Sequence, residues 1–91
     1  MTAGTVIPPV VYVPCESPTG DGLVVDLRTT KDGEVALIVY TALDRLIDCC
    51  GRHQPWAAVR TEELEKVREE TNFELLLFDL DIPDDLRRKA A

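Results

Sequence analysis

Cys49 and Cys50 lie four and three residues before His53, the only histidine, and a third cysteine, Cys15, stands far upstream. Thiolates and imidazoles are zinc donors, so Cys15, Cys49, Cys50 and His53 make a first candidate site, provided folding gathers them around one ion. The spacing argues against it. Neighbouring residues of a helix project about 100° apart, so Cys49 and Cys50 do not easily face the same ion. Cys50 also falls on an apolar helical face, where cysteine behaves as a small hydrophobe. Redox chemistry lacks a Cys-x-x-Cys pair, and adjacent cysteines rarely bridge because the geometry strains the backbone. An odd count of three fits a reduced, cytoplasmic protein. No metal and no cofactor is expected.

A general base needs a partner within reach, and the acid nearest His53 in sequence is Asp48. A loop histidine after a helix more often complements the helix dipole from the surface. The chain holds neither a G-x-S-x-G elbow nor a Ser-His-Asp order. Asp79, Asp81, Asp84 and Asp85 could suggest Mg²⁺ or Ca²⁺, but the segment lacks the glycine and terminal glutamate of a calcium loop. Gly20-Asp21-Gly22 is followed by no Gly-Lys-Ser/Thr, so it is no phosphate loop. The expectation is a protein that is not an enzyme.

Surface recognition is better supplied. Trp56 follows Gln54-Pro55 on a stiffened connector, and tryptophan recurs at binding hot spots. Residues 61–85 hold ten acids against Lys66 and Arg68, with Glu62, Glu65 and Glu69 at helical spacing, enough to steer a basic protein partner. The whole chain of 91 residues carries −7, which repels phosphate backbones; the one dense basic run, Arg87-Arg88-Lys89, reads as a solvated tail. No apolar run approaches the ~20 residues of a membrane span, and the start, Met1-Thr2-Ala3-Gly4-Thr5, has no signal-peptide character. Neither nucleic acid nor membrane is expected as a partner. With 45% hydrophobic and 30% charged residues, the chain has the composition of a folded domain.

The elements that must position these residues follow from period. Val10-Val11-Tyr12-Val13 is rich in strand formers behind Pro8 and Pro9, which mark an edge; Val11 and Val13 are therefore the expected edge of a strand-paired homodimer. A turn is expected over residues 17–22. In residues 23–28, Leu23, Val25 and Leu27 alternate with Asp26 and Arg28, a half-buried strand. Asp32-Gly33 favours a hairpin turn. Residues 35–40 are apolar on both faces, as in a central strand, and close a three-stranded meander. Thr41 with Asp44 resembles a capping box ahead of Leu43, Leu46, Ile47 and Cys50, a helix stopped by Gly51. Residues 56–59 read as a short strand. Thr61 is the expected cap of a second helix that ends at Asn72, with Leu64 and Val67 inward. Residues 73–78 form a last strand, and 84–91 a frayed tail.

The run Leu27-Arg28-Thr29-Thr30-Lys31-Asp32-Gly33, with Val39-Tyr40-Thr41-Ala42, Asp44-Arg45-Leu46 and Gly51-Arg52-His53-Gln54-Pro55-Trp56, resembles a family of small uncharacterised actinobacterial proteins. They are related to the N-terminal domain of SseB, the enhanced serine sensitivity protein. The resemblance spans roughly residues 23–83, with Tyr40 and Ala42 departing from the usual Phe and Ser. It implies a small mixed α/β fold used as a building block in protein contacts, and no catalytic residues.

The reading is a single α+β domain, core about 7–80, with a four- or five-stranded mainly antiparallel sheet and two helices packed on it. Its expected core is Val25, Leu37, Val39, Leu46, Ile47, Leu64, Val67, Leu75 and Leu77. The expected function is a non-catalytic cytoplasmic interaction or regulatory module. It would act as a homodimer or adaptor, through Val11 and Val13 or through Trp56, Gln54, Glu62, Glu65 and Glu69. The alternative is a small-ligand or metal-responsive protein using Cys50, His53 and Trp56.

Overall fold

A strand that is apolar on both faces needs cover on both, and residues 35–40 receive it in an α+β domain of two three-stranded sheets and two helices. The computed structural model describes residues 7–19, 22–83 and 85. Its elements in chain order are β1 (Val10–Thr19), β2 (Gly22–Val25), β3 (Leu27–Thr29), β4 (Val35–Val39), α1 (Leu43–Cys50), β5 (Trp56–Arg60), a 3₁₀ turn (Thr61–Glu63), α2 (Leu64–Thr71) and β6 (Leu75–Phe78). One sheet has the order β2-β1-β5 and the other β3-β4-β6. All pairings are antiparallel except β4 with β6. The basic run 87–89 and the expected tail lie outside the described residues, apart from Asp85.

The two sheets meet at a fork. Tyr12 and Tyr40 exchange both backbone bonds, at 2.8 and 2.9 Å, and so join β1 directly to β4. Further along, β1 turns to β2 while β4 pairs with β3. Asp26 lies between β2 and β3, and its N–H donates to Pro14 O at 3.0 Å. The expected single strand over 23–28 is therefore two strands that change partners at Asp26. The turn expected over 17–22 gives way to β1 continuing through Thr19.

Alternation in β1 divides the core between the two faces. Val11 and Val13 pack with Val25, Leu37, Val39, Leu64 and Phe73 under α2. Tyr12 packs on the opposite side against Ile38, Tyr40, Leu46, Cys50 and Ile82, beneath α1. Val67 is half-buried against the first group and Leu77 against the second, and Leu75 is half-buried. Ile47, an expected core residue, is 40% exposed. The eight-residue helix buries the Leu46–Cys50 row, and the Ile47 row beside it runs out of cover.

Local signals at element ends hold where backbone geometry alone sets them. Gly33 takes φ +84° in the 30–34 hairpin, Gly51 closes α1 at φ +91°, and Asn72 ends α2 in the left-handed region. The two expected threonine caps are corrected. No side-chain cap bond forms at α1, because Thr41 gives both its N–H and its hydroxyl to the Asp79 carboxylate, each at 2.9 Å. Thr61 opens a 3₁₀ turn, its hydroxyl donating to Pro8 O and its N–H to Pro9 O at 2.8 Å.

The strand-edge expectation is also corrected. Val11 and Val13 are 0% and 1% exposed, on the middle strand of the β2-β1-β5 sheet. Residues 56–60 occupy the side of β1 that the prolines marked as open. The outer strands of that sheet are β2 and β5.

Candidate functional site

Trp56 is the first residue of β5, where Pro55 delivers the chain in extended form. Strand pairing puts Trp56 opposite Pro14, Ala58 opposite Tyr12 and Arg60 opposite Val10, all on one face. The indole meets the Tyr12 ring edge-on, with centroids 5.6 Å apart and planes at 72°, a favoured aromatic geometry. It is still 36% exposed, and Val10, Ala58 and Arg60 are exposed beside it. The result is an apolar, aromatic surface at the outer strand of a sheet, with one cation at its end. Arg60 makes a 3.7 Å contact with Glu62, both well exposed, so that pair holds the guanidinium only weakly.

The acidic residues form a separate surface. Glu62 stands in the 3₁₀ turn and Glu65 and Glu69 on the outer side of α2, all exposed. Arg68 donates to Glu65 at 2.8 Å, and the surrounding glutamates leave the helix strongly negative. Because α2 covers the Val11 face while Trp56 packs on Tyr12, the expected partner-binding residues are split between opposite sides of the sheet.

Gln54 belongs to neither surface, which corrects its assignment to partner binding. It is 4% exposed. Its amide nitrogen donates to Cys15 O at 3.1 Å, Asp26 Oδ2 at 3.0 Å and Pro55 O at 2.8 Å, tying the fork together from within. Replacing a buried donor strands the groups it served. Gln54→Leu is expected to lower the free energy of unfolding by about 2 kcal/mol. Urea titration checks this; an unchanged midpoint would show that the fork closes without the amide.

The thiol and carboxylate candidates serve the fold as well. Cys15 and Cys50 are buried, and Cys49 is half-buried with its thiol 3.9 Å from Asp79 O. His53 lies in the exposed turn after Gly51. Among the described residues no group of three or more His, Cys, Asp or Glu side chains could hold a metal ion. The Cys50, His53 and Trp56 trio divides between core, turn and outer strand. Asp79 sits in the left-handed region at φ +55° and braces Thr41, with Arg45 at 3.8 Å. Asp81 and Asp85 are exposed, and Asp84 lies outside the described residues.

The sequence reading missed Tyr40. Its ring is fully buried and its hydroxyl donates to Leu80 O at 2.6 Å. Burial, and then the bond to and charge of Cys50, push the phenol far above its ordinary value. A phenol held this firmly in its protonated form is the reverse of an activated base. Its signal was the end of a doubly apolar run, where a buried hydroxyl must find an acceptor.

Comparison with known proteins adds no relative. No family model, no curated protein and no solved structure matches the chain. Among the described residues no helix is long and apolar enough to cross a membrane. What the arrangement offers chemically is therefore read from its two surfaces: an aromatic outer strand suited to apolar and backbone contacts, and an acidic helix suited to cations.

Proposed function

We propose that this protein is a non-catalytic, cytoplasmic interaction module that makes its contacts through the outer strand β5 and the Trp56–Tyr12 face. The observation that carries this reading is Trp56 itself: a large aromatic side chain more than one-third exposed, stacked edge-on against a second ring, on the last strand of its sheet. Such a residue supplies hot-spot area at little entropic cost, because its neighbour already holds it. The acidic face of α2 supports the second half of the reading, attraction of a basic partner segment. The resemblance to the SseB N-terminal domain implies a contact-making block of the same kind, and that relation belongs to the proposal.

The test is capture of binding partners by immobilised protein from its own host lysate, with two variants alongside. Trp56→Ala is expected to lose the captured protein at all salt concentrations. Glu62→Lys with Glu65→Lys and Glu69→Lys is expected to lose it chiefly at low salt, where charge attraction acts over the longest range. Capture that neither variant changes would overturn the assignment of both surfaces.

A further inference from the structure

The ladder between β1 and β5 fixes which way each backbone group of β5 points. Cys15 N–H donates to Pro55 O at 3.0 Å and Thr61 N–H donates to Pro9 O at 2.8 Å, so the odd-numbered residues of this stretch turn their backbone groups toward β1. Antiparallel strands alternate strictly. The N–H and C=O groups of Trp56, Ala58 and Arg60 therefore point outward, away from β1. Among the described residues no strand lies on that side, since the sheet order ends at β5. Natural edges are usually blunted by a proline, a bulge or an inward-pointing charge. The β5 register with β1 runs unbroken from Arg60 to Trp56, and β5 contains no proline.

The geometry points to a second copy of this chain as the occupant of that edge, paired antiparallel through β5 about a two-fold axis at Ala58. This rests on the reading of β5 as a contact surface and names its partner. With Ala58 opposite its own copy, Trp56 of each chain faces Arg60 of the other, and each outward residue exchanges both backbone bonds with its opposite. Directly opposed residues of such a pair have Cα atoms about 5.5 Å apart, within reach for a guanidinium to lie over an indole. Arg60 has the freedom to do so, because its contact with Glu62 is long and wet. Ala58 at the axis keeps the two strands free of a steric clash. The order aromatic, small residue, cation is complementary to itself only in this antiparallel register. In parallel register Trp56 would face Trp56 and Arg60 would face Arg60, setting like charges opposite each other. A foreign strand would have to bring the complement that this strand already carries.

The experiment is the mass of the full chain by sedimentation from about 1 μM to about 1 mM, the range in which modest interfaces fill. Three variants accompany it. Ala58→Pro removes an outward N–H and leaves the β1 ladder intact, as proline on an edge allows; it is expected to stay folded by circular dichroism and to become monomeric. Trp56→Ala is expected to weaken the dimer about tenfold or more, and it keeps the test decisive should the proline variant fail to fold. Ala58→Cys, in a Cys49→Ser background, is expected to form a covalent dimer on mild oxidation, whereas His53→Cys in the same background is not. Wild-type protein that remains monomeric throughout would overturn self-pairing, and the lysate capture with Trp56→Ala would then judge the contact surface separately. A dimer that persists in Ala58→Pro and Trp56→Ala, with no covalent dimer from Ala58→Cys, would also overturn this edge as its seat.

Discussion

Val11→Pro is expected to unfold the protein, rather than merely to separate two copies of it. Val11 is fully buried on the middle strand of its sheet, opposite Val59 of β5, with its N–H on the β5 side of the ladder. Its neighbour Tyr12 is bonded to Tyr40 on the other side. Proline deletes the Val11 donor, leaves the carbonyl of half-buried Val59 on β5 without its bond, and places a rigid ring in the core beneath α2. Those losses together are on the order of 3 kcal/mol or more. A domain of this size holds only roughly 5–10 kcal/mol in total, and each kcal/mol moves its melting temperature by about 4–8 °C. Thermal melting followed by circular dichroism should therefore show a transition at least ~12 °C lower, or no cooperative transition. A variant that melts at the wild-type temperature would show that β1 is an edge after all.

The edge reading of β1 failed because Pro8 and Pro9 stand before the strand, which begins at Val10. Their carbonyls accept the hydroxyl and the N–H of Thr61, so the prolines lead the chain into the β1–β5 ladder instead of leaving that side open. That Thr61, more than fifty residues downstream, meets them there is nothing local sequence reveals. By contrast, β4 was legible because residues 35–40 are apolar on both faces and every one from Ala36 to Tyr40 is buried. Gly33, Gly51 and Asn72 were legible because positive φ is a demand of the backbone at one residue. Thr41 and Thr61 were not, because partners far away in sequence, Asp79 and Pro8, recruit their hydroxyls.

The candidate site divides in the same way. Trp56 could be singled out from residue type and from the extended connector before it. Its useful context, the Tyr12 ring and the outward backbone of β5, comes from a pairing between segments more than forty residues apart in sequence. Gln54 looked like a polar surface neighbour of Trp56, and only the fork explains why an amide is buried there. Its carbonyl targets on Cys15 and Pro55 carry no sequence signature, since every residue has a carbonyl.

Tyr40 sets the second large effect, a loss of stability in alkali that one substitution should remove. In the folded protein burial is the main cause of its raised titration, helped by the hydrogen bond and charge of Cys50 and then the charge of Cys49, with Arg28 offsetting part. An unfolded chain releases the tyrosine proton near pH 10. Between that pH and its own higher value, the folded state thus binds up to one more proton than the unfolded state. Stability from this group is complete below pH 10 and declines as pH rises toward the folded-state value, by about 1.4 kcal/mol per unit. At pH 12 the decline reaches about 3 kcal/mol. Tyr40→Phe carries no such term, but it gives up the bond to Leu80 O and should be less stable than wild type at neutral pH by about 1–2 kcal/mol. Urea titrations of both proteins from pH 8 to 12 should therefore cross near about pH 11, with the phenylalanine variant the more stable above it. Lysines, arginines and the other tyrosine are common to the two chains and cancel in the difference. Two curves that stay parallel through that range would mean the phenol ionises in place, and that water reaches Tyr40 between α1 and the sheet.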